Sequence, residues 1–231
     1  MNRTLGIFRM HWRDKFSVLV LPWVICGFSF VVNLIVGAGV RPEEGIYTGG
    51  LSSIYVYVFV AGIVILAQTF PFALGMGVRR TDYFWGTLAA TASSSAITTV
   101  VLILLSEAEA GWLNGWGVGL HFFHLPFVHE GPAWLQAATH FTLLMTLILI
   151  GFFISAVYRR FGKFGLYAFG LVALLVFIVG PLLLTYFERW DDIGRWVEAN
   201  FHTLNDLTPW LLLVAVLLGL GSYGMLRKAT I

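Results

Sequence analysis

Three histidines and a glutamate lie close together in the segment 107–133, and imidazole and carboxylate groups are common zinc ligands. They are His121, His124, His129 and Glu130. Their three- and five-residue spacings match no closed zinc site. Trp112 and Trp116 lie in the same segment, and Trp and His between apolar runs are typical of the aromatic belt at a membrane surface. We therefore predict such a belt and no metal site, with the His121-x-x-His124 pair as the only candidate for a metal test.

A second chemical possibility is a serine nucleophile with a histidine base. Ser93 to Ser95 and His140 supply these residue types, and such a pair would suit an intramembrane hydrolase. However, the sequence has no Gly-x-Ser-x-Gly elbow, and serine-rich membrane segments commonly serve helix packing. It also has no Gly-x-x-x-x-Gly-Lys-Ser/Thr phosphate loop. We expect neither catalysis nor ATP hydrolysis by this chain, and no cofactor bound to it.

The elements that must position these residues are apolar. Hydrophobic residues make up 58% of the 231-residue chain and charged residues 11%, with mean hydropathy +0.84, whereas soluble domains carry about 25% charged residues. A membrane-spanning helix needs about 20 apolar residues. Six segments qualify: 16–38, 51–74, 84–106, 134–157, 164–186 and 208–226. The predicted fold is one all-α transmembrane domain over 1–231, in which the single cysteine, Cys26, is a packed hydrophobe.

Charge predicts the orientation of this domain. If the tail 1–15, the loops 75–83 and 158–163 and the ending 227–231 share one side, that side holds 11 Lys and Arg and the other side 3. The positive-inside rule then places both termini in the cytoplasm. Among these basic residues, we expect Arg9, Arg13, Arg159, Arg160 and Lys163 to form a cytoplasmic interface.

The segments between and before the spans have their own predictions. The tail 3–15 has Leu5, Phe8 and Trp12 on one helical stripe, which favours a helix in the cytoplasmic interface over a disordered basic tail. The turn 158–163 is so short that spans four and five must be antiparallel neighbours. Pro181 should bend or end span five, and the acidic segment 187–207 should hold a short amphipathic helix at 188–200 on the outer side.

The third span is rich in small residues, which let helices approach closely in lipid. We predict that other helices enclose it, and a polar translocation lining is the alternative. The candidate pathway-lining residues are Asn33, Gln68, Ser94 and Thr98.

The polar break at 75–83 separates two long apolar runs. Gly75 and Gly77 loosen the backbone, two arginines follow, and Thr81 or Asp82 can cap the next helix. We predict a turn of helix lying flat at the membrane surface, rigidly joined to both neighbouring spans. A second protein that binds this segment can exert force on both spans.

The topology and three short stretches resemble one family. The stretches are FPFALGMGVRRTDY at 70–83, RFGKFG at 160–165 and LRKAT at 226–230. With six spans, an N-terminal interfacial helix and an outer extension between spans five and six, the chain resembles the permease subunits of type-2 ABC exporters, small bacterial members in particular. The resemblance implies two permeases, identical or paralogous, in the bacterial cell membrane. It also implies that each docks one cytoplasmic ATPase, which holds ATP and Mg²⁺, through a coupling helix. The coupling residues would be Gly77, Val78, Arg79, Arg80, Thr81, Asp82 and Tyr83.

The transport interpretation also has an argument from the residues. Ion-coupled transporters generally need a charged or histidine side chain within the membrane, but no predicted span has a charged residue at its middle. Energy must then come from a partner, which fits an ATPase acting on 75–83. The alternatives are a non-transporting scaffold or signalling subunit and, less favoured, an intramembrane hydrolase. The lining suits an amphipathic drug, lipid or peptide, and nothing indicates a nucleic-acid partner.

Overall fold

A computed structural model describes residues 3–40, 45–124 and 132–229, and most of them are helical. Apolar segments form helices because lipid offers no other partner for backbone N–H and C=O groups. The helices are α1 (Arg3–Arg13), α2 (Leu21–Val40), α3 (Ser52–Gly75), α4 (Arg80–Gly111), α5 (Ala133–Tyr186), α6 (Trp190–Asn200) and α7 (Thr208–Arg227). A π-helical turn, Phe16–Val20, precedes α2, and two short strands, β1 (Ile46–Tyr47) and β2 (Leu120–His121), pair in parallel.

Within the described residues, five helices are long and apolar enough to cross a membrane. One of them, α5, has 54 residues and would be about 80 Å long if straight, against about 30 Å for a bilayer core. It is interrupted at Gly162, whose φ of 68° and ψ of −160° are not helical. The rings of Phe153 and Phe169 lie 5.8 Å apart, although 16 residues of straight helix would span about 24 Å. The chain therefore folds back at Gly162, within the tight turn predicted at 158–163.

Two details of the predicted elements differ from the structure. Pro181 does not end its helix, because α5 continues to Tyr186 and the Thr185 hydroxyl donates to the Pro181 carbonyl at 2.9 Å. The first predicted span, 16–38, begins with the π-helical turn instead of regular α-helix. The helix expected at 188–200 is α6, Trp190–Asn200.

One end of the bundle, here called the ladder end, is built around β1, β2 and the last turns of α4. Its core joins Cys26, Leu51 and Leu102 to Leu120 and Phe122, so the segment after α4 packs onto α2 and α3. The opposite end, here called the α1 end, has a second core formed by α1, α3, α4, α5 and α7. A Cβ on Gly86 would lie 2.6 Å from the Thr4 carbonyl oxygen, so glycine permits α1 to pack directly on α4.

Candidate functional site

The connection between α3 and α4 is a tight turn at the α1 end. Gly77 has φ of 75°, and the N–H groups of Gly77 and Val78 donate to the carbonyls of Leu74 and Ala73 at 2.9 and 3.1 Å. These two bonds form a Schellman motif, which needs a left-handed residue and explains the glycine. Arg79 then occupies the N-cap position of α4. The expectation of a separate helix within 75–83 is corrected to this turn, and neither Thr81 nor Asp82 is the cap.

The seven predicted coupling residues differ in their accessibility. Arg79 is exposed and makes no side-chain hydrogen bond to any residue that the structure describes, whereas Arg80 donates to the carbonyl of Arg227 at 2.8 Å. Tyr83 is fully buried and bonded to the Thr69 hydroxyl at 2.8 Å. Val78 packs on the chain's own core. Tyr83 and Val78 thus stabilise the turn from within, and of the seven predicted coupling residues Gly77 and Arg79 are exposed.

Asp82 and Thr81 lie on the first turn of α4 and are half-buried. The Thr4 hydroxyl donates to the Asp82 carboxylate at 3.3 Å, and the Arg3 guanidinium donates to the Gly77 carbonyl at the same distance. Helix α1 is thus bonded to the turn at its first residues.

The predicted basic interface divides into free and bound members. Arg9, Arg13 and Lys163 are exposed. Arg159 donates to the Ala67 carbonyl in α3, and Arg160 donates to the Lys228 carbonyl just after α7. Cations suit the carbonyl end of a helix because of its partial negative charge. Arg80 and Arg160 therefore fix the end of α7 beside the α3–α4 turn.

A cavity of about 450 Å³ lies between α1, the π-helical turn, the start of α2, α3 and α4, and its lining on α3 and α4 ends at Thr69 and begins at Ala90. Drug-sized ligands occupy pockets of about 300–1,000 Å³. Its walls are mainly aliphatic, including Leu21, Val60, Ala61 and Val64. The walls have this shape because α1 is held along α4: His11 Nε2 lies 3.0 Å from the Thr87 hydroxyl, and Trp12 Nε1 donates to Ser93 at 3.2 Å.

Three of the four candidate pathway residues line this cavity: Gln68, Ser94 and Thr98. Among the described residues, none of the three side chains has a hydrogen-bond partner in the protein. Asn33 lies outside this cavity, and its amide donates to the Ser29 carbonyl at 2.8 Å near Gly50. Unpaired amide and hydroxyl groups in an apolar wall are costly, and a ligand or water can satisfy them.

Among the described residues, the cavity lining includes one carboxylate and no lysine or arginine. This carboxylate, Asp14, lies at the exposed rim and accepts a hydrogen bond from the Ser17 backbone N–H at 3.2 Å. Burial lowers the pKa of His11, which also lines the cavity, to about 4, so this imidazole is neutral at pH 7. The cavity therefore combines an aliphatic body, uncharged polar groups and a carboxylate at its rim.

The candidate metal ligands and the candidate serine–histidine pair do not come together in the described part of the structure. His121 stacks on Tyr47 at 4.6 Å, whereas His124 Nδ1 lies 3.0 Å from the Ser106 hydroxyl. Over residues 3–40, 45–124 and 132–229 no three potential ligands are grouped around a metal position; His129 and Glu130 lie outside these ranges. His140 Nδ1 lies 2.6 Å from the Tyr55 hydroxyl, and Ser93 donates to the carbonyls of its own helix, so each contacts groups other than the proposed partner.

Sequence reasoning missed Glu109, a carboxylate with no exposed surface at the ladder end. It accepts hydrogen bonds from Trp116 Nε1 at 2.7 Å and from the backbone N–H groups of Phe122, Phe123 and His124 at 2.9 to 3.2 Å. The available signal was the glycine-rich run after it: Asn114, Gly115, Trp116, Gly117 and Gly119 all have positive φ. This run turns the chain back so that the N–H groups of Phe122, Phe123 and His124, which follow it, reach the carboxylate.

The chain has no match among protein-family models, curated proteins or solved structures. What it does must therefore be inferred from the cavity, the turn and their charges.

Proposed function

We propose that this chain is the permease subunit of an ATP-driven ABC transporter that exports an amphipathic or hydrophobic substrate by alternating access. The observation that carries the proposal is the connection between turn and cavity. Helix α3 carries Gln68 into the cavity and ends at the turn, and α4 begins at the turn and carries Ser94 and Thr98 into the same cavity. A force on the turn therefore reaches both walls through helices, which are the stiffest elements available.

The orientation and partner follow from charge. With the α1 end in the cytoplasm, the positive-inside rule is obeyed, and Arg79 and Lys163 are exposed there. The proposed partner is a cytoplasmic ATPase that binds ATP and Mg²⁺ and presents carboxylates or backbone carbonyls to Arg79, since guanidinium binds both well. The proposed location is the bacterial cell membrane.

Six crossings and a second subunit complete the proposal. The reversal at Gly162 supports counting α5 as two crossings. After this break α5 packs little on its own chain: Phe164 and Phe177 are 87% and 79% exposed. Six membrane crossings from one chain are few for enclosing a regulated pathway, so we propose a homodimer or a pair with a paralogue. Native mass measurement in mild detergent tests this, and a transport-competent monomer would contradict it.

The main experiment compares Arg79→Glu with Lys163→Glu. Both residues are exposed cations at the α1 end, and each change reverses one charge, so effects on topology and net charge are matched. If Arg79 docks the ATPase, only Arg79→Glu should lose copurification of the ATPase and substrate-stimulated ATP hydrolysis. Arg159 is unsuitable as a control because it is bonded to α3.

The measurement uses membranes in which the permease and the candidate ATPase are produced together. Equal modest losses in both variants would leave only a general role of positive charge and would contradict docking at the turn. If no ATPase copurifies with the wild-type chain and none is stimulated by it, the transporter proposal fails and the scaffold alternative takes its place.

A further inference from the structure

We propose that the cavity binds a cationic amphiphile with a single apolar chain, whose amine lies at Asp14 and whose chain lies between α2, α3 and α4. The inference deepens the proposed transport function and rests on it, because it takes this cavity as the substrate site. Its test uses the permease alone, so its outcome is separate from that of the ATPase experiments.

The body of the cavity fits an alkyl chain or a small apolar ring system. Leu21, Val58, Val60, Ala61 and Val64 contribute aliphatic surface to it, and burying such surface is worth about 25 cal/mol per Å². The open side is bordered by Ser17, Val60 and Val64, which are exposed. A molecule dissolved in the bilayer can therefore reach the cavity sideways, between the start of α2 and the middle of α3.

The polar groups of the cavity define the head of the ligand. Gln68, Ser94 and Thr98 offer hydrogen bonds without charge, and none of them is bonded to a side chain or backbone group in the described part of the chain. Asp14 adds the only formal charge among the described lining residues, because His11 is neutral at pH 7. A protonated primary amine has donors alone, and these match the carboxylate of Asp14, the Gln68 carbonyl and the Ser94 hydroxyl. A quaternary ammonium group has no N–H donor and keeps only the charge attraction to Asp14, which is the part of the preference that both cations share.

The surrounding basic residues do not reverse this preference. Arg13 and Lys15 flank Asp14 in the chain, and Arg9 is exposed on α1, but none of them lines the cavity. Within the described residues the ion pairs are confined to Arg189, Asp192 and Arg195, so Asp14 is not neutralised by a neighbour. Among the described residues, Asp14 is therefore the charged group that an amine in the cavity meets directly.

The π-helical turn adds an independent indication of a binding wall. π-Helical turns are rare and occur frequently at functional sites. Here the turn Phe16–Val20 contributes Ser17 and Val18 to the lining, and the Tyr57 hydroxyl donates to the Ser17 carbonyl at 2.6 Å across the cavity edge. The wider turn thus directs a carbonyl to α3 and positions Asp14 at the rim.

The test measures binding of three probes with the same chain to the full-length protein in nanodiscs without an ATPase. The probes are dodecyltrimethylammonium, dodecylamine and dodecyl phosphate, and dodecyl maltoside serves as the neutral reference. We expect both cations to bind about fivefold more tightly than the maltoside, as for one partly exposed charge pair, and the phosphate to bind most weakly. Equal binding of all four probes, or tightest binding of the phosphate, would overturn the cationic assignment.

Variants distinguish the contacts of the ligand's amine from the contacts of its alkyl chain. Asp14→Asn should remove the preference for cations and leave maltoside binding unchanged, whereas Lys15→Gln, a neighbouring charge outside the lining, should not weaken cation binding. Ala61→Phe should fill the cavity and weaken every probe at least about tenfold. Its control is Val56→Phe, on the same helix at a position that is 59% exposed and outside the lining. If both phenylalanine variants bind the probes like wild type, the cavity is not the site.

Discussion

Replacing Glu109 with glutamine tests whether one buried carboxylate holds the ladder end together. The two carboxylate oxygens receive four N–H donors, from Trp116, Phe122, Phe123 and His124. With its oxygen at the position of Oε1, the glutamine amide still accepts from the backbone N–H groups of Phe122, Phe123 and His124, and its NH₂ group faces the indole N–H of Trp116. One donor then lacks an acceptor, at a cost of about 1–3 kcal/mol.

Loss of a buried charge offsets part of this cost, since an ionised group is expensive to bury. We therefore expect a net destabilisation of about 1.4 kcal/mol, confined to the segment that Glu109 organises. This corresponds to about a tenfold increase in the population of the locally opened segment. Hydrogen exchange of residues 112–124, read by mass spectrometry in nanodiscs, measures that population directly.

Glu107→Gln is the matched control, because Glu107 lies two residues away on the same helix and is exposed. It should leave exchange of 112–124 unchanged. Helix α1, at the opposite end of the bundle, should exchange at the wild-type rate in both variants. If Glu109→Gln exchanges like Glu107→Gln throughout 112–124, the carboxylate does not stabilise this segment and the reasoning is refuted.

Three further predictions follow from other parts of the bundle. Burial lowers the pKa of His11 from 6.5 to about 4, so between these pH values the unfolded chain binds more protons than the folded chain. The free energy of unfolding should therefore fall by about 3 kcal/mol as the pH drops through this window. Thermal unfolding measured at several pH values should show this fall in the wild type and not in His11→Gln. A Cβ on Gly151 would lie 2.9 Å from the Ile63 backbone nitrogen, whereas a Cβ on Gly170 would have no atom within 4 Å. Because of this steric clash, Gly151→Ala should lower the melting temperature, and Gly170→Ala should maintain or raise it. Cysteines replacing Arg13 and Trp112 in a Cys26→Ser background should react differently with an impermeant thiol reagent in intact cells, and labelling of position 13 from outside would contradict the proposed orientation.

The helices could be predicted from the sequence because lipid imposes a simple rule on them. An apolar run long enough to cross the bilayer must satisfy its own backbone, and helix is the simplest way. The predicted segment 51–74 accordingly differs by one residue at each end from α3, Ser52–Gly75. The predicted segment 208–226 begins with α7, Thr208–Arg227, and ends one residue before it. The reversal at Gly162 was also readable, since a short basic turn between two apolar runs leaves few geometries.

The residues of the candidate site were harder to predict because side-chain direction depends on tertiary contacts. Gln68, Ser94 and Thr98 were noticed as polar groups in apolar runs, and they line one cavity. Asn33 has the same character, but its amide finds a carbonyl one turn earlier in its own helix. Tyr83 follows two arginines in a polar segment, yet it is buried because α4 begins three residues before it and turns that face toward Phe70. Sequence spacing alone does not separate these cases.

The hydrogen bonds around the cavity also indicate which of its walls can move. Tyr83 and Thr69 join α4 to α3 just inside the turn, and His11 and Trp12 join α1 to α4. A push on the turn therefore carries α1, α3 and α4 together, with little change in the spaces between them. The remaining wall is the π-helical turn, and the Tyr57 hydroxyl bond to Ser17 is its only described side-chain hydrogen bond to α3. A single hydrogen bond contributes about 1 kcal/mol, so, if the cavity is the proposed substrate site, the start of α2 is the wall that we expect to open and close.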